Sequence, residues 1–289
     1  MRVLRFFALA VLFPGISFSQ AAQPPAPQTL IIPGDNLHLK ALFWKPTGNG
    51  PFPAVLFNHG TGSDAEHTGG MSRTEAAEKL APVFLKHGYA FLYLFRRGQG
   101  LSAEQAPYMG DILRREAAAK GAEAGQHLQF VLLKTEHLDD VMAGLALLKK
   151  LPGIDSRRIA IVGHSFGGQL TLVATERDPA VRAAVAFDGA AHHSWQHSTE
   201  IREQLLTPVR NATAPIMLVQ ASNDYSIAPS RDLAAELERL HKPHVLKIYP
   251  AVGQTSDKGH NLVYLAISMW EGDVFEFLDK YVKTVSAPV

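Results

Sequence analysis

Residues 158–173 read Arg-Ile-Ala-Ile-Val-Gly-His-Ser-Phe-Gly-Gly-Gln-Leu-Thr-Leu-Val, with Ser165 in the middle of Gly163-His164-Ser165-Phe166-Gly167. The apolar run before the pentapeptide predicts a strand, and residues 168–173 after it predict a helix. The serine therefore falls on a sharp strand-to-helix turn. On such a turn its hydroxyl stands clear of the sheet edge, and the flanking glycines leave room for crowded backbone. The helix N-terminus behind it offers free N–H groups and partial positive charge where an oxyanion would form. This placement, more than the pentapeptide itself, marks Ser165 as a nucleophile.

On either side lie further short, mostly apolar runs at 54–57, 90–95, 183–187, 216–220 and 245–249. Runs of this kind suit strands buried on both faces of a parallel sheet. Residues 29–32 and 37–44 come first, and the second of these alternates as a half-exposed antiparallel strand should. Helical stretches fall between the strands at 74–87, 232–240 and 274–282. Another is marked by Leu138, Val141, Met142, Leu145 and Leu148, and it stops at Pro152-Gly153. The pattern predicts an α/β fold: a mostly parallel, doubly wound sheet of about eight strands, first strands antiparallel, with helices on both faces. Ligands of such sheets bind at the carboxyl ends of the strands.

The bulk composition narrows the function by exclusion. The 289 residues carry a formal charge of +1, with no basic stripe interleaved with aromatics, so there is no electrostatic case for nucleic acid. Cysteine is absent, which excludes disulfides, thiolate zinc sites and a cysteine nucleophile. Arg2 and Arg5 precede an apolar stretch at 6–13, followed by Pro14-Gly15 and small residues, as in an export signal covering 1–22. That stretch is too short for a permanent membrane span, and no later run is long enough. A secreted or periplasmic protein is expected, with one catalytic domain over 28–289.

A serine hydroxyl is a poor nucleophile until a base takes its proton, and the base needs an anion to hold its tautomer. His260, in 254–260, is the only one of the 13 histidines placed after the final predicted strand, and it is the expected base. Asp224, in the loop after the 216–220 strand, is the expected acid; Asp188, at the end of the preceding strand, is its competitor. The chain order Ser165, Asp224, His260 is the one an elbow of this type requires. Two backbone N–H groups should form the oxyanion hole, one from Phe166 and the other from Thr61 in Asn58-His59-Gly60-Thr61-Gly62.

Taken together, His59-Gly60, the 97–102 stretch Arg-Gly-Gln-Gly-Leu-Ser, the 163–168 elbow, Asn223-Asp224 and Gly259-His260 resemble the α/β-hydrolase superfamily. The resemblance is to its dienelactone-hydrolase-like and prolyl-oligopeptidase-like branch, and it extends from about residue 29 to the end. It implies a hydrolase that needs no cofactor or metal and acts on a small ester or a short peptide. Founding dienelactone hydrolases are known for a cysteine nucleophile, whereas this elbow carries Ser165, which favours general ester hydrolysis. No room exists for the propeller domain of large oligopeptidases; a serine peptidase or amidase is the alternative, and a non-catalytic binding module a third. Substrate contacts are expected from His59, from Tyr108 within 103–129, and from His192 and Trp195 after the 183–187 strand. Arg96 and Arg97 are expected to salt-bridge at the sheet edge or to bind an acidic substrate.

Overall fold

The computed structural model describes residues 25–34, 37–189 and 195–284, so the expected signal at 1–22 lies outside it. In chain order the strands are β1 (Gln28–Pro33), β2 (His38–Trp44), β3 (Phe52–Asn58), β4 (His67–Thr68), β5 (Met71–Ser72), β6 (Ala90–Leu94), β7 (Ile154–His164), β8 (Ala183–Phe187), β9 (Ile216–Ala221) and β10 (His244–Tyr249). The helices are α1 (Arg73–Lys86), α2 (Met109–Lys120), α3 (Ala122–Lys134), α4 (Glu136–Leu148), α5 (Phe166–Arg177), α6 (Thr199–Asn211), α7 (Ala228–Arg239), α8 (Ser256–His260), α9 (Leu262–Leu265) and α10 (Ile267–Leu278). Eight strands form one sheet in the order β1-β2-β6-β3-β7-β8-β9-β10. β2 runs antiparallel to both β1 and β6, and every later neighbour pair is parallel. This is the α/β-hydrolase architecture.

Side-chain alternation along the strands sorts the core onto two faces. Leu56, Leu92, Ile161 and Leu218 pack with Leu145 of α4, Leu170 of α5, Leu205 of α6 and Leu237 of α7. Their neighbours Val55, Phe91, Val162 and Val219 pack on the other face with Leu80 and Phe84 of α1 and Val274 of α10. Burying each such side chain contributes about 1.5–3 kcal/mol. A one-residue slip would exchange the two sets, so register is strongly specified.

The sheet's winding reverses at β3, which has β6 on one side and β7 on the other. A crevice at such a reversal, beyond the carboxyl ends of the strands, is where ligands bind in open α/β sheets. Loop 59–62 leaves β3 there, and Ser165 leaves β7.

Several elements depart from the sequence reading. α7 begins at Ala228 rather than 232, because Pro229 fits its first turn. α6 was not anticipated; Ser198 caps it by accepting the Ile201 N–H at 3.3 Å. Residues 103–129 form α2 and most of α3, joined at Gly121 (φ 97°), and α3 packs Phe130 and Leu133 into the core. None of that segment lines the cavity beside Ser165.

Candidate active site

Ser165 sits between β7 and α5 with φ 55° and ψ −123°, a conformation costing a non-glycine residue about 1–3 kcal/mol. Its N–H donates to the Phe187 carbonyl at 2.8 Å, and its own carbonyl accepts from Gly168 N–H at 2.8 Å, which holds the turn. The turn presses against loop 59–62: a Cβ on Gly167 would lie 2.0 Å from the Asn58 carbonyl oxygen. Glycine is required there by space alone.

His260 Nε2 lies 2.8 Å from Ser165 Oγ, and His260 Nδ1 lies 2.8 Å from Asp224 Oδ1. Three residues distant in the chain are thus brought into one hydrogen-bonded line. His260 was expected in a loop but ends the short helix α8, which starts because Thr255 accepts the Lys258 N–H at 3.3 Å. Asp224 Oδ1 also accepts from Tyr225 N–H at 2.6 Å, and Oδ2 accepts from Gln220 Nε2 at 2.6 Å. Asn223 ties the acid's loop to the base's loop, donating to the carbonyls of Val252 (3.1 Å) and Thr255 (3.0 Å). Gly259 packs on that tie; a Cβ there would meet Asn223 Oδ1 at 2.6 Å.

His164 is a second imidazole at the site, and the sequence reading assigned it nothing. It is buried, and its Nε2–H donates to the His260 carbonyl at 2.7 Å. Burial, reinforced by the neighbouring His260, pushes its pKa down to about 3, so it stays neutral and keeps that N–H in place. The Tyr225 ring lies against His260 with centroids 4.9 Å apart, and its hydroxyl bonds Asp257.

The loop carrying Thr61 wraps around a buried guanidinium. Arg73, the first residue of α1, donates to the carbonyls of Gly60 (3.1 Å), Thr61, Asp64 (2.8 Å) and Ala65 (2.9 Å). A trans peptide points its C=O and N–H in opposite directions, so the grip on the Gly60 carbonyl turns the Thr61 N–H away from Arg73. Phe166 opens α5, so its N–H has no carbonyl four residues back to bond within the helix. Its ring is buried, 5.6 Å from the Arg96 guanidinium carbon.

His59, Tyr108 and Trp195 do not line the cavity, which corrects the expectation of substrate contact for all three. His59 is fully buried beneath the loop: its Nε2 accepts the Arg96 N–H (3.4 Å), leaving Nδ1–H to donate to the Gly60 carbonyl (2.7 Å). Burial first, then Arg96 and Arg73, hold its pKa well below the usual histidine range. Tyr108 donates to the Gly62 carbonyl at 3.0 Å, bracing the loop from outside. Trp195 is buried, with its indole N–H on Asp232 Oδ2 at 2.6 Å. A strand-end position indicates the sheet edge but not the direction of the side chain; packing turned His59 and Trp195 inward and set Tyr108 against the outside of the loop. His192 lies outside the described residues. Arg97 takes the salt-bridging fate, with Nη2 at 2.7 Å from Asp140 Oδ1, while Arg96 is buried under the loop.

A cavity of about 720 Å³ opens at Ser165 and His260, walled by Gly60, Thr61, Thr68 and Leu265. Asp257 and Lys258 also line it, on the His260 side. Asp188, Asp224 and His260 offer three atoms of metal-ligating type within 4.8 Å of one another. Both His260 nitrogens are already engaged, by Ser165 and Asp224, so the set reads as a hydrogen-bonded chain rather than a metal cage.

The sequence model of the Dienelactone hydrolase family matches residues 78–261. Over 163 residues the chain is 28% identical to the quorum-quenching protein AidA of Acinetobacter baumannii, covering 56% of this chain and 44% of that protein. Among solved structures, the Pyrococcus horikoshii acylaminoacyl peptidase superposes with TM-score 0.64 at 16% identity, covering 93% of this chain and 43% of that one. A dienelactone hydrolase from Anabaena variabilis gives TM-score 0.61 at 19% identity, covering 90% of this chain and 100% of that one. The match spans less than half the length of AidA and of the peptidase. At these identities the structural likenesses bear on fold alone.

Proposed function

Because the chain belongs to the dienelactone hydrolase family, matched over residues 78–261, we propose that it is a serine hydrolase cleaving carboxylic esters of small to moderate size. The observation that carries this reading is the line from Ser165 Oγ to His260 Nε2 (2.8 Å) and from Nδ1 to Asp224 Oδ1 (2.8 Å). His260 takes the hydroxyl proton as Ser165 Oγ bonds to the ester carbonyl carbon, and the carbonyl oxygen becomes an oxyanion. Asp224 holds the tautomer and offsets the charge that His260 gains. The N–H groups of Phe166 and Thr61 receive the oxyanion; loss of one such donor costs about 3 kcal/mol of barrier. As the ester C–O bond breaks, His260 passes its proton to the leaving alcohol. Water then attacks the acyl-serine while His260 takes its proton, and the acid leaves with Ser165 restored.

Uncharged Gly60, Thr61, Gly62, Ser63, Thr68 and Leu265 line the cavity beside charged Asp257 and Lys258, so the lining alone does not decide between an ester and a short peptide. A fluorophosphonate probe should label the wild type and not Ser165→Ala, and the variant should lose essentially all ester turnover. Equal labelling of the two would remove the serine mechanism. A panel of short p-nitrophenyl esters, lactones and aminoacyl anilides ranks the bond type; faster anilide cleavage would reassign the protein as a peptidase or amidase.

A further inference from the structure

Asp188 ends β8 and is 1% exposed, in a backbone conformation (φ 53°) that few residues other than glycine, asparagine and aspartate adopt. Its N–H is fixed on the Val219 carbonyl at 2.9 Å. An oxygen of its carboxyl, an oxygen of Asp224 and a ring nitrogen of His260 lie within 4.8 Å of one another. The Ala221 backbone N–H faces its carboxyl, but no donor among the described residues makes a well-formed hydrogen bond to either oxygen. The ionisable groups facing it are Asp224, from the loop after β9, and His260, at the end of α8. His192 and His193, which follow it in the chain, lie outside the described residues.

An ionised carboxylate in this place would be buried with only the Ala221 backbone N–H beside it and would face a second carboxylate, and both burial and like charge disfavour that form. A protonated one removes both penalties. Asp224 has the capacity to accept it: a carboxylate offers about four lone-pair positions, and His260, Tyr225 and Gln220 supply three donors. We propose that Asp188 is a protonated carboxylic acid whose O–H donates to the Asp224 carboxylate, making it a positioning residue for the acid behind His260. Burial and the neighbouring Asp224 both push its pKa well above the usual carboxylate range, in agreement with that geometry. This proposal rests on the reading of Asp224 as the acid partner of His260. A fourth donor withdraws charge from Asp224, so the carboxylate attracts the His260 Nδ1–H less strongly than it would with three donors.

The test reads the proton directly. Infrared spectra of the wild type at neutral pH should show the carbonyl stretch of a protonated carboxyl that is missing from Asp188→Asn. Asparagine tolerates the same backbone and keeps an N–H donor, so its kcat and pH profile should stay near wild type. Asp188→Gly keeps the backbone and removes the donor. Its kcat should fall several-fold, and the acid limb of kcat/KM should move up by about half a pH unit, a change that simple loosening would not produce. A wild-type spectrum without the band, a band unchanged in both variants, or Asn behaving like Gly would overturn the proposal. Should one variant fail to fold, the other supplies the difference spectrum. Fluorophosphonate labelling of the wild type is scored separately: a missing label with the band present sinks the serine mechanism and leaves the Asp188 proton standing.

Discussion

Asp224 is occupied before any substrate arrives, by His260 Nδ1, the Tyr225 N–H and the Gln220 amide. Asparagine at 224 would keep the shape but place a neutral group, and in one orientation a donor, against Nδ1. Asp224→Asn is therefore expected to lower kcat by about 10³–10⁴-fold with little change in melting temperature. Kinetics on the best ester of the panel check this; a loss below about tenfold would dismiss Asp224 from the proposed role. Ser165, Asp224 and His260 were legible because motif, strand ends and chain order each constrain them. His164 was not: the position before the serine accepts many residues, and its bond to the His260 carbonyl joins sites 96 residues apart. Gln220 and Tyr225 escaped for a related reason. A strand residue and a loop aromatic carry no local sign that they hold a carboxylate.

The junction of β5 and α1 shows how one element controls another. Ser72 caps α1 by accepting the Glu75 N–H, and Glu75 in return accepts the Ser72 N–H, which fixes the first turn. Arg73 follows at once, its guanidinium delivered into loop 59–65, where it holds four carbonyls. Lysine would keep the charge but lose the planar fork that serves several acceptors together. Arg73→Lys is expected to lower kcat on the order of ten- to a hundredfold with KM little changed, because the Thr61 N–H is no longer aimed. Steady-state kinetics beside a thermal melt check it; an unchanged kcat would show that the loop keeps its shape without the guanidinium. The helix α1 was legible from its composition and terminal glycine. The grip of its first residue on the loop was not, because β4 and β5, two residues each, bring the two together without any hydrophobic period.

Among the described residues, three histidines are buried and neutral: His59, His137 and His164. Burial is the first cause in each, and nearby cations or His260 add to it, lowering His164 to about 3 and the other two well below 6.5. Between about pH 6.5 and the depressed folded values, the unfolded chain binds protons that the native state refuses, so stability falls as pH falls. Each histidine contributes up to about 1.4 kcal/mol per pH unit in that window. The raised carboxyls Asp140 and Asp188 act oppositely above the ordinary aspartate value, since the native state is the one holding their protons. The three histidines outnumber these two carboxyls, so the net slope keeps the sign that the histidines give it. Urea unfolding midpoints from about pH 7 down to about pH 4.5 should fall steadily; a flat series would contradict the buried, neutral state of these rings. The apolar runs and their order were enough to establish the α/β architecture and to put Ser165, Asp224 and His260 at one sheet edge, because such patterns are local and periodic, although His260 ends a short helix there rather than lying in a loop. Contacts made across the fold determined the direction in which side chains at that edge point. Close packing turned His59 and Trp195 into the interior, set Tyr108 behind the Thr61 loop, and lined Asp188 up behind Asp224, since each depends on neighbours that no nearby stretch of chain specifies.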